Sequence, residues 1–519
     1  MQGSGTTTSV WMGTTAGPMP GGDADLSTVK PDVIVVGAGI AGVTTAYLLQ
    51  RSGKSVLLLD DGLPGDGETG RTTAHLSNAI DDRYTEIERL HSESGARMAA
   101  DSHTAAIDTI ERIAREEGID CDFARLDGYL MLAPGQDPSS LDKERDAARR
   151  AGLDDVEKLD QPPVDHPGPC LRFPRQGRFH ALKYLAGLTR AFLARGGRLA
   201  TGAHVSAIGQ EGERAHVHVG PDHQTPSHQT IEADAVVVAT NSPISDRFAI
   251  HTKQAAYRTY AIAARVPKGS VPDALYWDTL DTYHYVRLQP EAGHDLLIVG
   301  GEDHKTGEAR DMDSRWAALE AWTREHFPLA ETVEYRWSGQ VMEPFDGLAF
   351  IGRDPAYGGR VFVATGDSGM GMTHGTIAGL VLCELIHGSD SPWAALYDPG
   401  RKMANKLGTY LRENIDVARQ YLDYVGRSEV ESEERIAPGD GAVLKAGGRP
   451  IAVYRDESGA IHRRSAVCPH LKCVVHWNPG EKTWDCPCHG SRFAVDGAVL
   501  NGPATQPLAP VAEDGGTRG

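Results

Sequence analysis

The pattern of apolar and polar residues changes several times along the chain. VIVVG, which begins at Val33, is a short β-branched run typical of a parallel strand buried on both faces. AGVTTAYLLQRSG follows with helical spacing and a terminal glycine, and SVLLLD is a second apolar strand. Strand, helix and strand in this order predict the start of an α/β domain with a parallel sheet.

The same pattern returns twice further along. IEADAVVVATNSP is a buried strand that ends in small polar residues, and GGRVFVATGDSGMGMTHGTIAGLVLCELI is a strand, a glycine-bearing loop and a helix. We therefore assign residues 31–80, 185–245 and 335–400 to one domain. The intervening segments, 81–184 and 246–334, contain alternating stretches such as YWDTLDTYHYVRLQP and predict a second, mixed-sheet domain that covers the first.

The two ends of the chain differ from this central part. Residues 1–30 are rich in Gly, Ser, Thr and Pro and predict a disordered leader. Residues 401–435 predict a helix followed by a charged linker. In residues 436–519, short strands separated by GG and SG turns predict a small all-β domain. The expected architecture is α/β and α+β, followed by an all-β module.

Three glycines in the first strand–helix turn indicate a nucleotide site. Gly37, Gly39 and Gly42 complete the pattern GxGxxG. The first permits a tight turn, the second lets the backbone approach a pyrophosphate, and the third lets the helix pack against the strand. Asp60 ends the second strand, at the distance where an acidic side chain accepts hydrogen bonds from a ribose. Together they predict a Rossmann-like dinucleotide site for a nucleotide without a 2′-phosphate.

Composition and charge restrict the partners of the chain. Its 519 residues include 71 acidic and 52 basic ones, and the formal net charge of -19 argues against nucleic-acid binding. A cationic substrate or a basic partner protein suits such a surface better. No run of about eighteen uninterrupted apolar residues occurs, so we expect no membrane span. The N-terminal residues lack the features of an export signal, which favours a cytoplasmic location.

From about residue 31 to about residue 400 the chain resembles the D-amino acid oxidase and sarcosine oxidase superfamily of FAD enzymes. The resemblance is carried by GAGIAG, GETGRTTAHLSNAI, GAHVSAI, WSGQVMEPFDGLAFIGRDP and GDSGMGMT. It implies non-covalent FAD, since the spacing around the histidine of GETGRTTAHLS does not match the covalent-histidine pattern. The positions implied to bind FAD are Gly37, Gly39, Ala41, Gly42, Asp60, Asp61, Gly70, Arg71, Thr72, Thr73, Ala74, His75, Val205, Ala239, Thr240, Gly369, Met370, Gly371, Met372 and Thr373.

The same resemblance implies a small-molecule amine or amino-acid substrate beneath the second domain. Family members fix the substrate carboxylate with an arginine and one or more tyrosines, and a guanidinium can hold a carboxylate in two places. Alternation places Tyr285 and Arg287 on one face of a strand and His284 on the other, while a neighbouring stretch contributes Arg258. We expect these four residues to contact the substrate. The alternative is that the arginines are simply solvated.

Four of the seven cysteines lie in one short segment near the C-terminus. Cys468 and His470 form CxH, Cys486 and His489 form CxxH, and fifteen residues separate the two pairs. Two thiolates and two imidazoles could bind zinc. One cysteine and one histidine per loop also suit a two-iron cluster in which one iron takes both thiolates and the other both imidazoles.

Residues 436 to 510 resemble the Rieske [2Fe–2S] domain of the kind that carries a disulfide in respiratory and photosynthetic cytochrome complexes. This resemblance implies that the two CxH and CxxH pairs ligate the cluster, that Cys473 and Cys488 form a disulfide, and that a third loop, GPA, covers the cluster. Ser491 matches the family's hydroxyl donor to a bridging sulfide, whereas Phe493 stands where high-potential members have tyrosine. We therefore expect a lower potential than in the respiratory proteins, within the Rieske range of about -150 to +300 mV.

A two-electron flavin joined to a one-electron cluster suggests a single function. We expect FAD to remove a hydride from the C–N unit of an amine or amino acid. We expect the cluster to pass the electrons one at a time to an external acceptor, such as a carrier protein. Two alternatives remain open: a peroxide-forming amine oxidase with a structural or regulatory cluster, and a redox sensor. The sequence does not indicate the oligomeric state.

Overall fold

The computed structural model describes residues 4–220, 229–245, 250–402 and 428–511. Most of the helix predicted within residues 401–435 lies outside the described residues. The helices are α1 (Val10–Thr14), α2 (Ile40–Arg51), α3 (Tyr84–Glu116), α4 (Ser139–Arg150), α5 (Ala181–Ala194), α6 (Met312–His326), α7 (Gly371–His387) and α8 (Ala394–Tyr397). No described helix has both the length and the apolar character needed to cross a bilayer.

The strands divide into a large N-terminal part and a small C-terminal module. The N-terminal part contains β1 (Val33–Val36), β2 (Val56–Leu59), β3 (His75–Leu76), β4 (Ala124–Met131), β5 (Glu157–Leu159), β6 (Cys170–Arg178), β7 (Arg198–Ala200), β8 (His204–Glu211), β9 (Arg214–Gly220), β10 (Gln229–Ala233), β11 (Ala235–Val238), β12 (Gln254–Val266), β13 (Leu275–Asp278), β14 (Tyr285–Pro290), β15 (Asp295–Lys305), β16 (Val333–Pro344), β17 (Phe350–Arg353) and β18 (Val361–Thr365). The module contains β19 (Asp440–Ala446), β20 (Arg449–Arg455), β21 (Ile461–Ser465), β22 (His476–Asn478), β23 (Thr483–Asp485), β24 (Arg492–Phe493) and β25 (Val499–Asn501).

A six-stranded sheet carries the glycine turn. Its order is β17-β18-β11-β1-β2-β7, parallel except for the antiparallel edge strand β17. Every residue of β1, β2 and β11 is buried, because α2 and α7 lie on one face and the small antiparallel sheet β8–β9–β10 packs on the other. The continuous apolar runs in the sequence follow from this two-sided burial.

A nine-stranded mixed sheet forms the second domain. Its order is β16-β12-β15-β14-β13-β4-β6-β3, with β5 paired to β6, and β13 runs parallel to β4. Strand β16 belongs to this sheet, although the sequence assigned residues 335–344 to the first domain. The pattern of apolar and polar residues in this segment did not show which sheet the strand joins, because strands of either sheet bury at least one face.

The C-terminal module consists of two small antiparallel sheets, β19-β20-β21 and β22-β23-β24-β25. Trp477 and Trp484 lie in its core with ring centroids 4.9 Å apart, and Phe493 is fully buried beside them. These aromatic side chains support the two loops that connect β21 to β22 and β23 to β24, which carry the cysteine–histidine pairs.

The structure contradicts the predicted disorder of the leader. Helix α1 begins after Ser9, whose hydroxyl caps it and also donates to the carbonyl of Gly70. Trp11 is fully buried, and its indole N–H donates to the carbonyl of Thr72. A single tryptophan in a polar stretch anchors the segment, and average composition does not reveal such an anchor.

Candidate active site and metal centre

A cavity of about 550 Å³ opens where the six-stranded sheet meets the nine-stranded sheet. It lies at the glycine turn between β1 and α2, where Gly37 has a positive φ of 101°. A Cβ on Gly37 would stand 2.4 Å from the carbonyl oxygen of Ala239, and one on Gly42 would stand 1.7 Å from that of Gly37. Only glycine therefore permits this close packing of turn, helix and strand.

The N-terminus of α2 faces the cavity and has features that suit a nucleotide. Gly39, its first flanking residue, provides no side-chain cap, so the positive end of the helix is available to an anion. Asp60 accepts hydrogen bonds from the N–H groups of Ala38 (2.6 Å) and Gly62 (2.8 Å), and burial raises its pKa to about 7. A ribose hydroxyl that donates a hydrogen bond to this carboxylate would stabilise its charged form, which burial disfavours.

Most positions that the sequence assigned to FAD line the cavity. They are Gly37, Gly39, Ala41, Asp60, Asp61, Arg71, Thr72, Thr73, His75, Val205, Ala239, Thr240, Gly369, Met370, Gly371 and Met372. The other four, Gly42, Gly70, Ala74 and Thr373, pack behind its wall. A cavity with a helix N-terminus in its wall and an acidic residue directly after β2 fits FAD.

Tyrosines and carboxylates line the part of the cavity under the nine-stranded sheet. The hydroxyl groups of Tyr285 and Thr259 are 2.6 Å apart, and the Tyr283 hydroxyl donates to Asp81 at 2.7 Å. The same Asp81 carboxylate lies against the glycine loop, because a Cβ on Gly369 would stand 2.2 Å from it. Of the four residues predicted to contact the substrate, Tyr285 lines the cavity.

Arg287 does not reach the cavity, which corrects the predicted carboxylate clamp. It is fully buried, and its guanidinium donates to the carbonyls of Ala74 (2.7 Å) and Phe179 (3.0 Å). Its guanidinium lies 5.1 Å from the ring centroid of Trp11, and burial lowers its pKa to about 9. Arg287 therefore connects Trp11 of the leader to the backbone at Ala74.

Arg258 and His284 also lie outside the cavity lining. Arg258 donates to the hydroxyl of Ser338 at 2.8 Å, on the face of β12 that the C-terminal module covers. His284 is 2.9 Å from the carboxylate of Asp278 and stacks on Trp322 at 4.2 Å. Alternation placed His284 on the opposite face of its strand from Tyr285, but it did not show which face meets the cavity, and it gave no such separation for Arg258.

Several acidic residues that line the cavity were absent from the predicted site, and four of them have strongly raised pKa values. Burial raises the pKa of Asp81 to about 7 and the pKa values of Asp303 and Asp367 to about 6, and it raises that of Glu343 well above the ordinary range. They come from β15, β16 and two loops that are far apart in sequence. No local pattern in the sequence could have grouped them.

The cysteine–histidine pairs of the module converge on one point. Cys468 and Cys486 are buried and lie within hydrogen-bond reach of each other. The imidazole rings of His470 and His489 lie 5.2 Å apart, and the buried Nδ1 of His489 has no hydrogen-bond partner among the described residues. Two adjacent thiols and two adjacent imidazoles fit a [2Fe–2S] cluster with different ligands on each iron.

The predicted disulfide is present between Cys473 and Cys488. It joins the two ligand loops beside the metal centre. Ser491 lies on the same side, where its hydroxyl is within reach of Cys468 and accepts a hydrogen bond from the N–H of Ala504 at 3.0 Å.

Two family comparisons identify the chain. Residues 32–385 match the family model for FAD dependent oxidoreductase (DAO), and residues 427–512 match that for the Rieske [2Fe-2S] domain. The chain belongs to the DAO family of FAD dependent oxidoreductases and carries a C-terminal Rieske domain. It therefore binds FAD and a [2Fe–2S] cluster, and the match of the module to the Rieske family excludes the zinc alternative.

Individual relatives share this organisation in whole or in part. A Bacillus subtilis (strain 168) protein, the Rieske 2Fe-2S iron-sulfur protein YhfW, is 31% identical over 93% of this chain and 94% of its own length. Gamma-glutamylputrescine oxidoreductase of Escherichia coli (strain K12) is 26% identical over 70% of this chain and 84% of its own. The structure of glycine oxidase from Geobacillus kaustophilus superposes with a TM-score of 0.61 at 19% identity, over 72% of this chain and 100% of that one, and so shares the fold.

In this oxidoreductase the Rieske domain forms part of the flavin cavity. Gln340 lines the cavity, and its side-chain amide donates to the carbonyl of Gly490, which follows His489 in the chain. The predicted third loop contributes Gly502 and Ala504 to the cavity lining, and the N–H of Ala504 donates to the Ser491 hydroxyl. Gln340 and Ala504 thus connect the wall of the flavin cavity to residues next to the cysteine–histidine pairs.

A buried charge cluster fixes this arrangement. We define it as Arg71 and Arg258 of the oxidoreductase part with Glu481, Asp485 and Arg492 of the Rieske domain. The leader also bridges both parts, because Thr7 bonds Glu481 while the carbonyl of Ser4 accepts from Arg492.

Proposed function

We propose that this oxidoreductase is a dehydrogenase for amines or amino acids that delivers electrons singly, through its Rieske domain, to an external one-electron acceptor. The observation that carries the proposal is the shared wall: Gln340 contacts both the flavin cavity and the residue after a cluster ligand. The family match supports the oxidative chemistry. The E. coli relative, named as an oxidoreductase of gamma-glutamylputrescine, supports an amine as donor.

The cofactors supply the electron chemistry when they are bound. When bound, FAD would supply a hydride acceptor for the carbon of a C–N unit; loss of that hydride and of a proton from nitrogen would give an imine that water hydrolyses to a carbonyl compound and an amine or ammonia. The [2Fe–2S] cluster supplies one-electron transfer. Nothing in this stoichiometry requires molecular oxygen.

The chain's own residues hold the amine and keep water away. The nine-stranded sheet covers the cavity, with Tyr283 and Tyr285 on the substrate side. Their hydroxyl groups are fixed by Asp81 and Thr259, so their rings keep one orientation. A substrate held between these rings and the Gly369 loop would present its C–N unit to the flavin.

The packing of the Rieske domain also supports transfer within one chain. Arg71 and Glu481 are both almost fully buried, and the leader ties the two parts a second time through Thr7. A domain held in this way does not need to swing between two positions to receive electrons.

The experiment compares the wild-type holoenzyme with Cys468→Ser, which removes one cluster ligand. Both proteins should lose flavin absorbance when an amine or amino-acid substrate is added without oxygen, while only the wild type should sustain turnover with ferricenium as acceptor. Cys383→Ser, at a cysteine outside the cluster and the cavity, is the matched control and should behave as the wild type. Stoichiometric peroxide with undiminished turnover in Cys468→Ser would favour an oxidase, and absence of turnover with every amine would favour a sensor.

A further inference from the structure

The charges that line the substrate end of the cavity identify a class of substrate. We propose that the substrate is an organic cation without a carboxylate, such as a diamine or a polyamine, held by Asp81 and Asp303 between tyrosine rings. This inference rests on the proposed function and narrows its substrate.

The cavity offers no cation to bind a carboxylate. Among the residues the structure describes, no lysine lines it, and the one lining arginine, Arg71, directs its guanidinium to Glu481, the carbonyl of Ser338 and the leader. The imidazoles of His75 and His374 are neutral at pH 7, because burial lowers their pKa values to about 3 and about 4.

His204, the third histidine of the cavity lining, lies in the nucleotide region. His204 is 3.6 Å from the carboxylate of Asp61 and also contacts the carbonyl of Thr505, on the Rieske side of the nucleotide region. These two contacts hold the imidazole beside Asp61 and Thr505, in the nucleotide region of the cavity.

One carboxylate is arranged to accept a hydrogen bond that the protein does not provide. Asp303 Oδ1 is buried without a hydrogen-bond partner among the described residues, whereas the carboxylate interacts with Thr259. A buried hydrogen-bond acceptor that has no donor lowers stability by about 1–3 kcal/mol. A positively charged ammonium group is a strong donor to a carboxylate. Asp303 lies in the cavity lining, so a ligand can reach it.

The second carboxylate, Asp81, lies beside the glycine loop that contains Gly369. Asp81 is bonded to Tyr283 and lies against Gly369, while Tyr283 and Tyr285 form an aromatic wall with ring centroids 5.5 Å apart. Tyrosine faces attract organic cations, and the attraction is stronger where water is excluded. Two acidic groups in one region lined by tyrosine rings suit a molecule with two cationic centres.

An α-amino acid would fit poorly for the same reason. Its carboxylate would enter a region that already contains the carboxylates of Asp81 and Asp303, the two groups proposed to hold a cation. Like charges at short range in a buried site repel strongly, or force protonation of one partner. The same surroundings attract a carboxylate-free ammonium.

Two matched pairs of compounds test the inference, since each pair differs only by a carboxylate. Cadaverine is compared with L-lysine, and putrescine with L-ornithine, by anaerobic bleaching of FAD in the wild-type holoenzyme. We expect the diamine of each pair to reduce the flavin at a concentration at least about tenfold lower than the amino acid, equivalent to about 1.4 kcal/mol. Bleaching by the amino acids at equal or lower concentration overturns the inference and leaves the proposed function standing. Failure of these four compounds together with a wider amine and amino-acid panel overturns both.

The variant Asp303→Asn tests whether Asp303 binds an ammonium group of the substrate. We expect a KM for cadaverine raised about tenfold or more with a smaller change in kcat, since the charge binds the remote ammonium. The control is Asp313→Asn, which removes an exposed carboxylate outside the cavity and should leave KM unchanged. An unchanged KM in Asp303→Asn overturns the assigned role. If the variant does not retain FAD, the comparison of matched compounds in the wild type decides the question alone.

Discussion

Arg71 and Glu481 form a buried ion pair between the oxidoreductase part and the Rieske domain. The Arg71 Nη1 atom lies 3.1 Å from Glu481 Oε1, and the two side chains are only 2% and 1% exposed. Burial alone would raise the pKa of Glu481, but Arg71, Arg258 and Arg492 hold it below its ordinary value. The carboxylate is therefore ionised at neutral pH, and the buried ion pair joins the oxidoreductase part to the Rieske domain.

Removal of the Glu481 charge should destabilise the protein strongly. Glu481→Gln leaves Arg71 buried without its counter-ion, and the loss of one partner of a buried pair costs about 3–5 kcal/mol. Chemical denaturation of the holoenzyme measures this change. Glu325→Gln, at an exposed helical position, is the control and should stay within about 0.5 kcal/mol of the wild type. Equal stabilities for the two variants would show that the ion pair does not hold the interface.

The stabilisation from Glu481 should disappear in acid. A carboxyl whose pKa is lower in the folded protein than in the unfolded chain contributes stability above the unfolded value, about 4.3, and loses it as pH falls through the folded value. The difference in unfolding free energy between wild type and Glu481→Gln should therefore be constant near neutral pH and shrink below about pH 4. A difference that grows as pH falls would contradict the lowered pKa.

The leader should contribute to stability through Trp11. This side chain is fully buried and bonded to Thr72, so Trp11→Ala should cost about 3–5 kcal/mol. Leu329→Ala, at a leucine that is 56% exposed, is the control and should change stability little. If Trp11→Ala is as stable as that control, the leader is not packed in solution as the structure shows.

The potential of the cluster should respond to hydroxyl groups near its ligands. Ser491 lies within reach of Cys468, so Ser491→Ala should lower the midpoint potential by removing a donor to sulfur. Phe493→Tyr should raise it by adding one. A redox titration followed by electron paramagnetic resonance measures both, with Ser458→Ala in an exposed turn as control. An unchanged potential in both variants would refute the hydrogen-bond argument.

Short local motifs were the basis of the predicted cofactor positions. The glycine turn and the cysteine–histidine pairs are motifs whose geometry depends on neighbouring residues, and the Cys473–Cys488 disulfide, which the resemblance to Rieske domains implies, is present. Strand alternation placed Tyr285 and His284 on opposite faces of one strand, and Tyr285 lines the cavity whereas His284 pairs with Asp278.

Long-range packing explains what the sequence did not predict. Arg258 was assigned to the substrate because nothing in its strand indicates that a domain more than 200 residues later covers that face. The acidic lining combines Asp81, Asp303 and Glu343 from separate parts of the chain. Burial of Trp11 likewise depends on a partner surface that the leader meets only in the folded protein.

The central claim is that electrons from the substrate reach the Rieske cluster of the same chain. The most direct measurement is rapid anaerobic mixing of the holoenzyme with cadaverine, or with the best donor of the compound panel, followed by absorbance for FAD and electron paramagnetic resonance for the reduced cluster. Loss of flavin absorbance, followed by a cluster signal that appears at a rate independent of protein concentration, is the predicted result. Flavin that bleaches fully while the cluster stays oxidised, or a cluster signal whose rate increases with protein concentration, would contradict it.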